Sequence, residues 1–517
     1  MTQAESHTAA PASTALSRFA MHAAVILVGL GALAVFTAVG IKGLSSQRWV
    51  FVLAAIAAPL VMYGIVRRPQ IATSLTVFLL YANLPVVAMK FHGIPFTVAA
   101  AVPLLLLLPI AYNVCIRKET IRLPATVIPI IIFFVIQTLS TMFSPYPDVA
   151  MKVLYRSLIE GMVVVVLVVN AINDRAGLQN AVWALALGGA LMGAVCTHQY
   201  VTKSYDSHYG GLAQLEAPRH GEPAYAPDSG FRRAAGTVGV KNRFAQNMLM
   251  LLPICFCSIL GMRAPRLKLF MGLLTFLTFL GWALVFSRGS AIGLALVCMI
   301  AASLGLLRWR HLGVVAIVAG ILLLSLPAYR ERLASLATLT RVVDGKQAFA
   351  QSTDGSIRGR FTEMLAAGRV AADYPVVGVG PGVFPYLARQ YAQPGGLRVL
   401  ETKRQAHNLY LSVAAEHGIP GLICLVLMVG MTIGHLLQLR RTVQQFSPSL
   451  AYLLSGFALA LTAYMATGMF GHFSFVRFFW LMMALANAAI CVAHRERKHH
   501  SPHAPHHDAS GGPANAS

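Results

Sequence analysis

Ala406–Gly421 reads AHNLYLSVAAEHGIPG, and the apolar run it begins continues to about residue 436. Just upstream, Lys403-Arg404-Gln405 closes a long polar stretch, so the chain passes here from a water-soluble loop into a hydrocarbon-like helix. A run of this kind crosses a bilayer core, which needs roughly 20 apolar residues. His407 and Asn408 stand at the boundary, and Glu416-His417 precede the bend Gly418-Ile419-Pro420-Gly421. The same transition recurs along the chain and decides the fold class.

Working outward, candidate spans fall at 22–40, 49–66, 71–89, 94–113, 124–143, 152–171, 179–200, 243–261, 266–286, 289–307, 311–327, 407–436, 450–470 and 474–493. The chain is 57% hydrophobic and only 11% charged, with a mean hydropathy of +0.66. We read it as all-α, a polytopic transmembrane bundle of about 12–14 spans with a large helical outer loop. It divides into a disordered cytoplasmic tail (1–21), N-terminal transmembrane helices (22–200) and a segment of outer loop and core helices (201–327). A large outer loop (328–406), C-terminal helices (407–493) and a disordered His-rich cytoplasmic tail (494–517) follow.

Basic residues set the orientation, because short cytoplasmic loops collect Lys and Arg. With the N-terminus inside, the inner connections carry Arg67-Arg68, Arg117-Lys118 with Arg122, Asp174-Arg175, Arg263/Arg266/Lys268, Arg308/Arg310 and Arg440-Arg441. The tail holds Arg495, Arg497 and Lys498, so both termini are cytoplasmic. The long loops Val201–Asn242 and Ala328–Ala406 both fall outside. The seven cysteines lie in or beside apolar runs, where Cys behaves as a small apolar residue, and no disulfide is expected. Met1–Ser17 has no basic n-region and reads as a tail rather than a signal peptide.

In the second outer loop, Ala328–Thr340 extends the preceding helix beyond Pro327. Ser356–Tyr374 puts Ile357, Phe361 and Leu365 on one helical face, which would lie on the membrane surface or cap a cavity. Val377–Pro385, VGVGPGVFP, lacks the preceding strand and the Lys-Ser/Thr ending of nucleotide loops. It is expected to be a tight turn that approaches a ligand or packs closely on a helix.

The chain has 41 Lys+Arg against 18 Asp+Glu, and some of the cations fall where anchoring does not account for them. Lys152, Arg156 and Glu160 share a helical face at the outer end of a span. Either Arg156 and Glu160 pair internally, or the face lines an outward cavity and touches an anion. In Phe231–Asn247, FRRAAGTVGVKNRFAQN, Arg232, Arg233, Lys241 and Arg243 crowd the outer surface, with Gly236, Gly239 and Asn242 allowing a close turn. Backbone donors at the helix start there also favour anions.

Arg288, alone in the outer turn Ser287-Arg288-Gly289-Ser290, has the fork that suits bidentate phosphate binding. Arg358, Arg360, Arg369 and Arg477 are further candidates. His407, at an outer polar–apolar boundary among arginines that favour neutral imidazole, suits a general base, with Asn408 as orienting partner and Tyr410 nearby. Glu416 lies deeper and reads as a cap at the bend. Metal-binding and Walker motifs are missing, so neither a catalytic metal nor a nucleotide cofactor is expected.

Taken in order, these motifs resemble a known superfamily. Arg233-x-x-Gly236, Asn242-Arg243-Phe244-Ala245 with Asn247, the Ser287-Arg288-Gly289 turn, Gly359-Arg360-Phe361, and GVGPGVF at 378–384 come first. His407-Asn408, Tyr410-Leu411 and Glu416–Gly421 complete the set. Together they are similar to the O-antigen ligases, Wzy-type polysaccharide polymerases and protein O-oligosaccharyltransferases of bacterial inner membranes, most strongly over Phe231–Gly421. The resemblance implies glycan transfer from undecaprenyl diphosphate on the periplasmic side, without nucleotide or metal. The acceptor is lipid A–core in a ligase and another carrier-linked glycan in a polymerase. It also implies that Arg288, one of Arg232, Arg233 and Arg243, and His407 form the site. O-antigen ligation is the leading reading and polymerisation the alternative. A lipid-linked glycan transporter is the second alternative, although such a protein places ionisable groups near the bilayer midplane, whereas the unusual charges here gather at one face.

Overall fold

The computed structural model describes residues 63–215 apart from Val66, 233–308, 310, 313, 355–392, 404–471 and 476–500. The expected spans 22–40 and 311–327, most of 49–66, the extension Ala328–Thr340, residue Arg232, and the tail segments 1–21 and 501–517 lie outside the described residues. The bundle is all-α and multi-pass. Among the described residues nine helices are long and apolar enough to cross a membrane, or up to ten if one bent pair counts as a span.

That bent pair is α1 (Gln70–Tyr81) and α2 (Leu84–His92), which meet at 58°. The sequence reading had one span here. Pro85 cannot continue a helix from the preceding turn, and Asn83 takes the left-handed backbone (φ 59) that makes the corner. Four spans follow: α3 (Phe96–Ile116), α4 (Ala125–Met142), α5 (Pro147–Ala171) and α6 (Arg175–Val201). Proline at the first turn starts α5 without losing a needed donor, and the Asp174 carboxylate caps α6 by accepting from Gly177 N at 2.7 Å. A two-stranded antiparallel ribbon, β1 (Gln214–Leu215) with β2 (Ala234–Gly236), leads into α7 (Lys241–Gly261). Next are α8 (Pro265–Ala283), the shorter α9 (Arg288–Ser303), and the loop helices α10 (Gly355–Asp373) and α11 (Phe384–Ala392). Three long helices close the chain: α12 (Leu409–Val443), α13 (Pro448–Gly468) and α14 (Val476–His500). The last runs to His500, so residues 494–500 continue the helix where the sequence suggested a tail.

Helices α7, α13 and α14 form the interior. Phe244, Met248, Leu454, Phe457, Phe478 and Trp480 are all buried there. The outward rows of α4 (Ile128, Ile131, Val135) and α12 (Ile423, Leu427, Met431) are exposed, the pattern of helices solvated by lipid.

The connections sort into two ends. At one end, Arg117 pairs with Asp174 at 3.2 Å, Arg495 with Glu119 at 2.6 Å, and Arg175 donates to Ser447 Oγ at 3.1 Å and to Ser449 Oγ. At the other, His92 meets Gly210 O, Asn83 donates to Thr237 O, and Ser144 donates to Val379 O. This is the parity that the basic loops predict. Inner-assigned connections touch one another, and outer-assigned ones do likewise.

Candidate active site at the polar end of the bundle

Helix α12 begins at the boundary quoted first. Asn408 is its N-cap and accepts from Leu411 N at 3.0 Å, while its amide donates to Met469 O at 3.3 Å. The Asn408 side chain thus holds the start of α12 to the end of α13. The group that faces His407 is Glu363 of α10. Its carboxylate lies 3.5 Å from His407 Nε2, and Arg404 Nε stands 3.9 Å from its other oxygen. Glu363 is buried and the His407 side chain only 12% exposed, so the pair is held largely out of bulk water. His407 also has a left-handed backbone (φ 50), a conformation that non-glycine residues keep chiefly where the surroundings enforce it.

The sequence reading missed Glu363 because it followed the large apolar residues of α10. In the structure Phe361 is 49% and Leu365 36% exposed, while Thr362, Glu363, Ala366, Ala367 and Val370 are buried. The small side chains let α10 approach α12 closely, so it is the small-residue face that packs. Glu363, Ala367 and Val370 share helical spacing, and that row was the available signal.

The glycine-rich segment after α10 is a clasp on α12. Gly418 interrupts α12 with a left-handed φ of 70, and Pro420 follows it, so backbone groups are freed at membrane depth. The turn takes them up: Val379 N donates to Ala415 O and Gly380 N to Glu416 O, each at 2.9 Å, and Ile419 N donates to Pro375 O at 2.7 Å. Gly378, also left-handed (φ 69), leaves no room for a Cβ against the Glu416–His417 backbone. The Glu416 carboxylate accepts from the backbone N–H of Gly382 and Phe384 at the start of α11, not from the bend Gly418–Gly421 that the sequence suggested it caps. His417 is stacked on Phe133 with ring centroids 5.4 Å apart and receives the Gln137 amide at 3.2 Å. This clasp fixes α10, and with it Glu363, relative to the start of α12.

Arg288 is the first residue of α9, just after a turn in which Phe286 is left-handed (φ 52). Arg233 donates to the carbonyls closing that turn, Nε to Val285 O at 2.7 Å and a terminal nitrogen to Phe286 O at 3.2 Å. Arg233 thereby braces the Arg288 turn. Arg243 lies in the first turn of α7 and is 4% exposed. One of its terminal nitrogens donates to Gln246 Oε1 at 2.6 Å, and the guanidinium faces the Tyr464 hydroxyl. Among the described residues no carboxylate pairs with it. Both amide atoms of buried Asn247 are unsatisfied. Buried cations are normally balanced by a carboxylate, so Arg243 is a candidate for contact with an anion.

Neighbours of these residues converge on the C-terminal turn of α13. Gln246, which holds Arg243, donates to Tyr464 O and Thr467 Oγ1. Tyr410 donates to Met465 O at 2.8 Å, Leu409 packs on Gly468, and Asn408 reaches Met469 O. Gly289, beside Arg288, has no room for a Cβ because of Phe470. Residues close in sequence to His407, Arg243 and Arg288 thus contact one short segment, Tyr464–Phe470, which lies within the expected span 450–470. Asn242 is half-buried next to Arg243.

Elsewhere the expectations separate. The Glu160 carboxylate pairs with Arg477 at 3.6 Å rather than with Arg156. The reason is a π-helical turn over Leu158–Val163, which breaks the i,i+4 register between positions 156 and 160. Arg156 and Lys152 are left exposed. Arg477 also donates to Asn83 Oδ1 at 2.9 Å, tying α14 to the corner between α1 and α2. Arg369 donates to Tyr391 O at 2.9 Å, at the end of α11. Arg360 is half-buried on α10, and Arg358 is placed there by its backbone alone.

Residues 273–426 match a family model described as O-antigen ligase. Over that segment the chain is similar to the O-antigen ligases. The matched segment takes in Arg288, Glu363, the glycine clasp and His407, and it bears out the superfamily resemblance read from the motifs. A comparison with curated proteins found no match.

If Glu363 orients His407, Glu363→Gln lowers kcat by about 10²-fold, the cost of a misplaced catalytic group. KM for the glycan donor stays near its wild-type value, because Glu363 touches the histidine. Steady-state kinetics of purified variants check this, and a change confined to KM would contradict it.

Proposed function

We propose that this protein is a glycosyltransferase of the bacterial inner membrane. It moves a glycan from undecaprenyl diphosphate to a hydroxyl of lipid A–core at the periplasmic face, the O-antigen ligation step of lipopolysaccharide synthesis. The observation that carries the reading is a carboxylate-backed histidine at the start of α12 and a buried arginine with no carboxylate partner among the described residues, each with neighbours bonded to the end of α13. A base and an anion site are what transfer from a diphosphate donor needs.

In the proposed step the acceptor hydroxyl attacks the anomeric carbon and His407 takes its proton. The bond from the anomeric carbon to the diphosphate oxygen breaks, and undecaprenyl diphosphate leaves with the bonding electrons. Arg288 and Arg243 stabilise the charge that grows on that oxygen, which lowers the barrier because the interaction is stronger in the transition state than in the ground state. Glu363 holds the imidazole, and Arg233 holds the Arg288 turn. Arg360, Arg156, Asn242 and Tyr410 are assigned to the approach of the glycan and its diphosphate, while Arg232 and the Arg358 side chain lie outside the described residues. The sugar–diphosphate bond already holds the driving energy, so no nucleotide takes part.

Deleting the protein tests the acceptor assignment. Gels of surface polysaccharide should then lose the long chains on lipid A–core while carrier-linked polymer persists. Short carrier-linked chains instead would mean polymerisation, and untransferred glycan confined to the cytoplasmic leaflet would mean transport.

A further inference from the structure

At the end of the bundle opposite His407, a cavity of about 570 Å³ opens between the start of α4, α12 and α14. Its apolar wall is Leu123, Pro124, Ala125 and Ile490. Its polar wall is cationic or protonatable: Arg122, His435, His494, Arg495 and Lys498. The carboxylate paired with these cations is already shared, with Glu119 3.5 Å from Arg122 and 2.6 Å from Arg495, and Glu496 follows Arg495 on α14 outside the lining. Burial, and then the neighbouring Arg495 guanidinium, push Arg122 below the usual guanidinium range, as expected of cations crowded with too few anions.

Anchoring alone asks only for basic residues near the surface, and exposed Arg441 on the same end satisfies it. It does not ask for a walled recess with cations on one side and hydrocarbon on the other. That combination matches a lipid whose phosphate sits among the cations and whose chains leave along the apolar wall, as in basic pockets between membrane helices.

We infer that this recess binds the phosphodiester headgroup of an anionic membrane phospholipid. The site is independent of the glycan-transfer reading. Lys498 is exposed and Arg122 half-buried beside Glu119, and both line the recess, so the phosphate would meet both.

Native mass spectrometry of the full chain with added phosphatidylglycerol, phosphatidylcholine or inorganic phosphate tests the inference. Phosphatidylglycerol should be retained over phosphatidylcholine, and Lys498→Gln with Arg122→Gln should weaken it by about 30-fold, at about 1 kcal/mol for each basic residue near the surface. Arg441→Gln, on the same end but outside the recess, should leave retention unchanged. The exposed single variant Lys498→Gln should show part of the loss with an unaltered melting temperature, which keeps the test valid should the double variant fold poorly. Equal retention of the two lipids, an equal loss with Arg441→Gln, or phosphate bound without any lipid preference would each overturn the inference.

Discussion

Replacing His407 by alanine lowers glycan transfer by about 10²–10⁴-fold, the range by which a positioned general base accelerates reaction. The acceptor is a sugar hydroxyl, a weak nucleophile until its proton is removed, and His407 is the imidazole at the polar end with a buried carboxylate beside it. Its left-handed backbone complicates the alanine result, since alanine resists that conformation. Asparagine tolerates it, so His407→Asn separates the loss of a base from a relaxed helix start. Both variants should insert normally and both should be slow. Fast transfer by His407→Asn alongside slow transfer by His407→Ala would reduce His407 to a backbone role.

The second large effect belongs to Arg243. Its guanidinium is buried, and no carboxylate among the described residues balances it. Removing one donor that stabilises developing charge costs about 10²–10³-fold in turnover, and Arg243→Met should lose that much. Stability should behave differently. A buried charge without a counterion is a burden on the empty protein, so an apolar residue of similar length relieves it. Against that stands the Gln246 hydrogen bond, worth roughly 0.5–1.5 kcal/mol. The melting temperature of Arg243→Met should therefore stay close to wild type while activity collapses. A parallel fall in melting temperature and activity would mark Arg243 as a structural strut at the start of α7.

How much of this was legible in the sequence follows physical lines. The spans were legible because a bilayer imposes length and hydropathy that no tertiary contact overrides. The pairing of loops at two ends followed from where Arg and Lys fall. The corner at Asn83 was foreshadowed by Pro85 but hidden by the apolar residues on either side. The candidate site was legible where the chemistry is local, at His407, Arg288 and Arg243. It was illegible where function depends on contacts distant in sequence. Glu363 and His407 are joined only because small residues let α10 settle on α12. The assignment of Arg233 to the Val285–Phe286 carbonyls likewise needs a turn more than fifty positions away, at a place that sequence shows only as the end of a span. A π-helical turn moved Glu160 from Arg156 to Arg477, and nothing in the spacing of Lys152, Arg156 and Glu160 signals it.

Reconstitution tests the central claim most directly. Purified protein in vesicles is given undecaprenyl-diphosphate-linked glycan and lipid A–core, and product is read as glycan joined to the core. Wild-type protein should yield that product and release undecaprenyl diphosphate, and His407→Asn protein inserted to the same level should yield almost none. Equal product from the two proteins, or movement of the carrier-linked glycan across the vesicle with no transfer, would contradict the account.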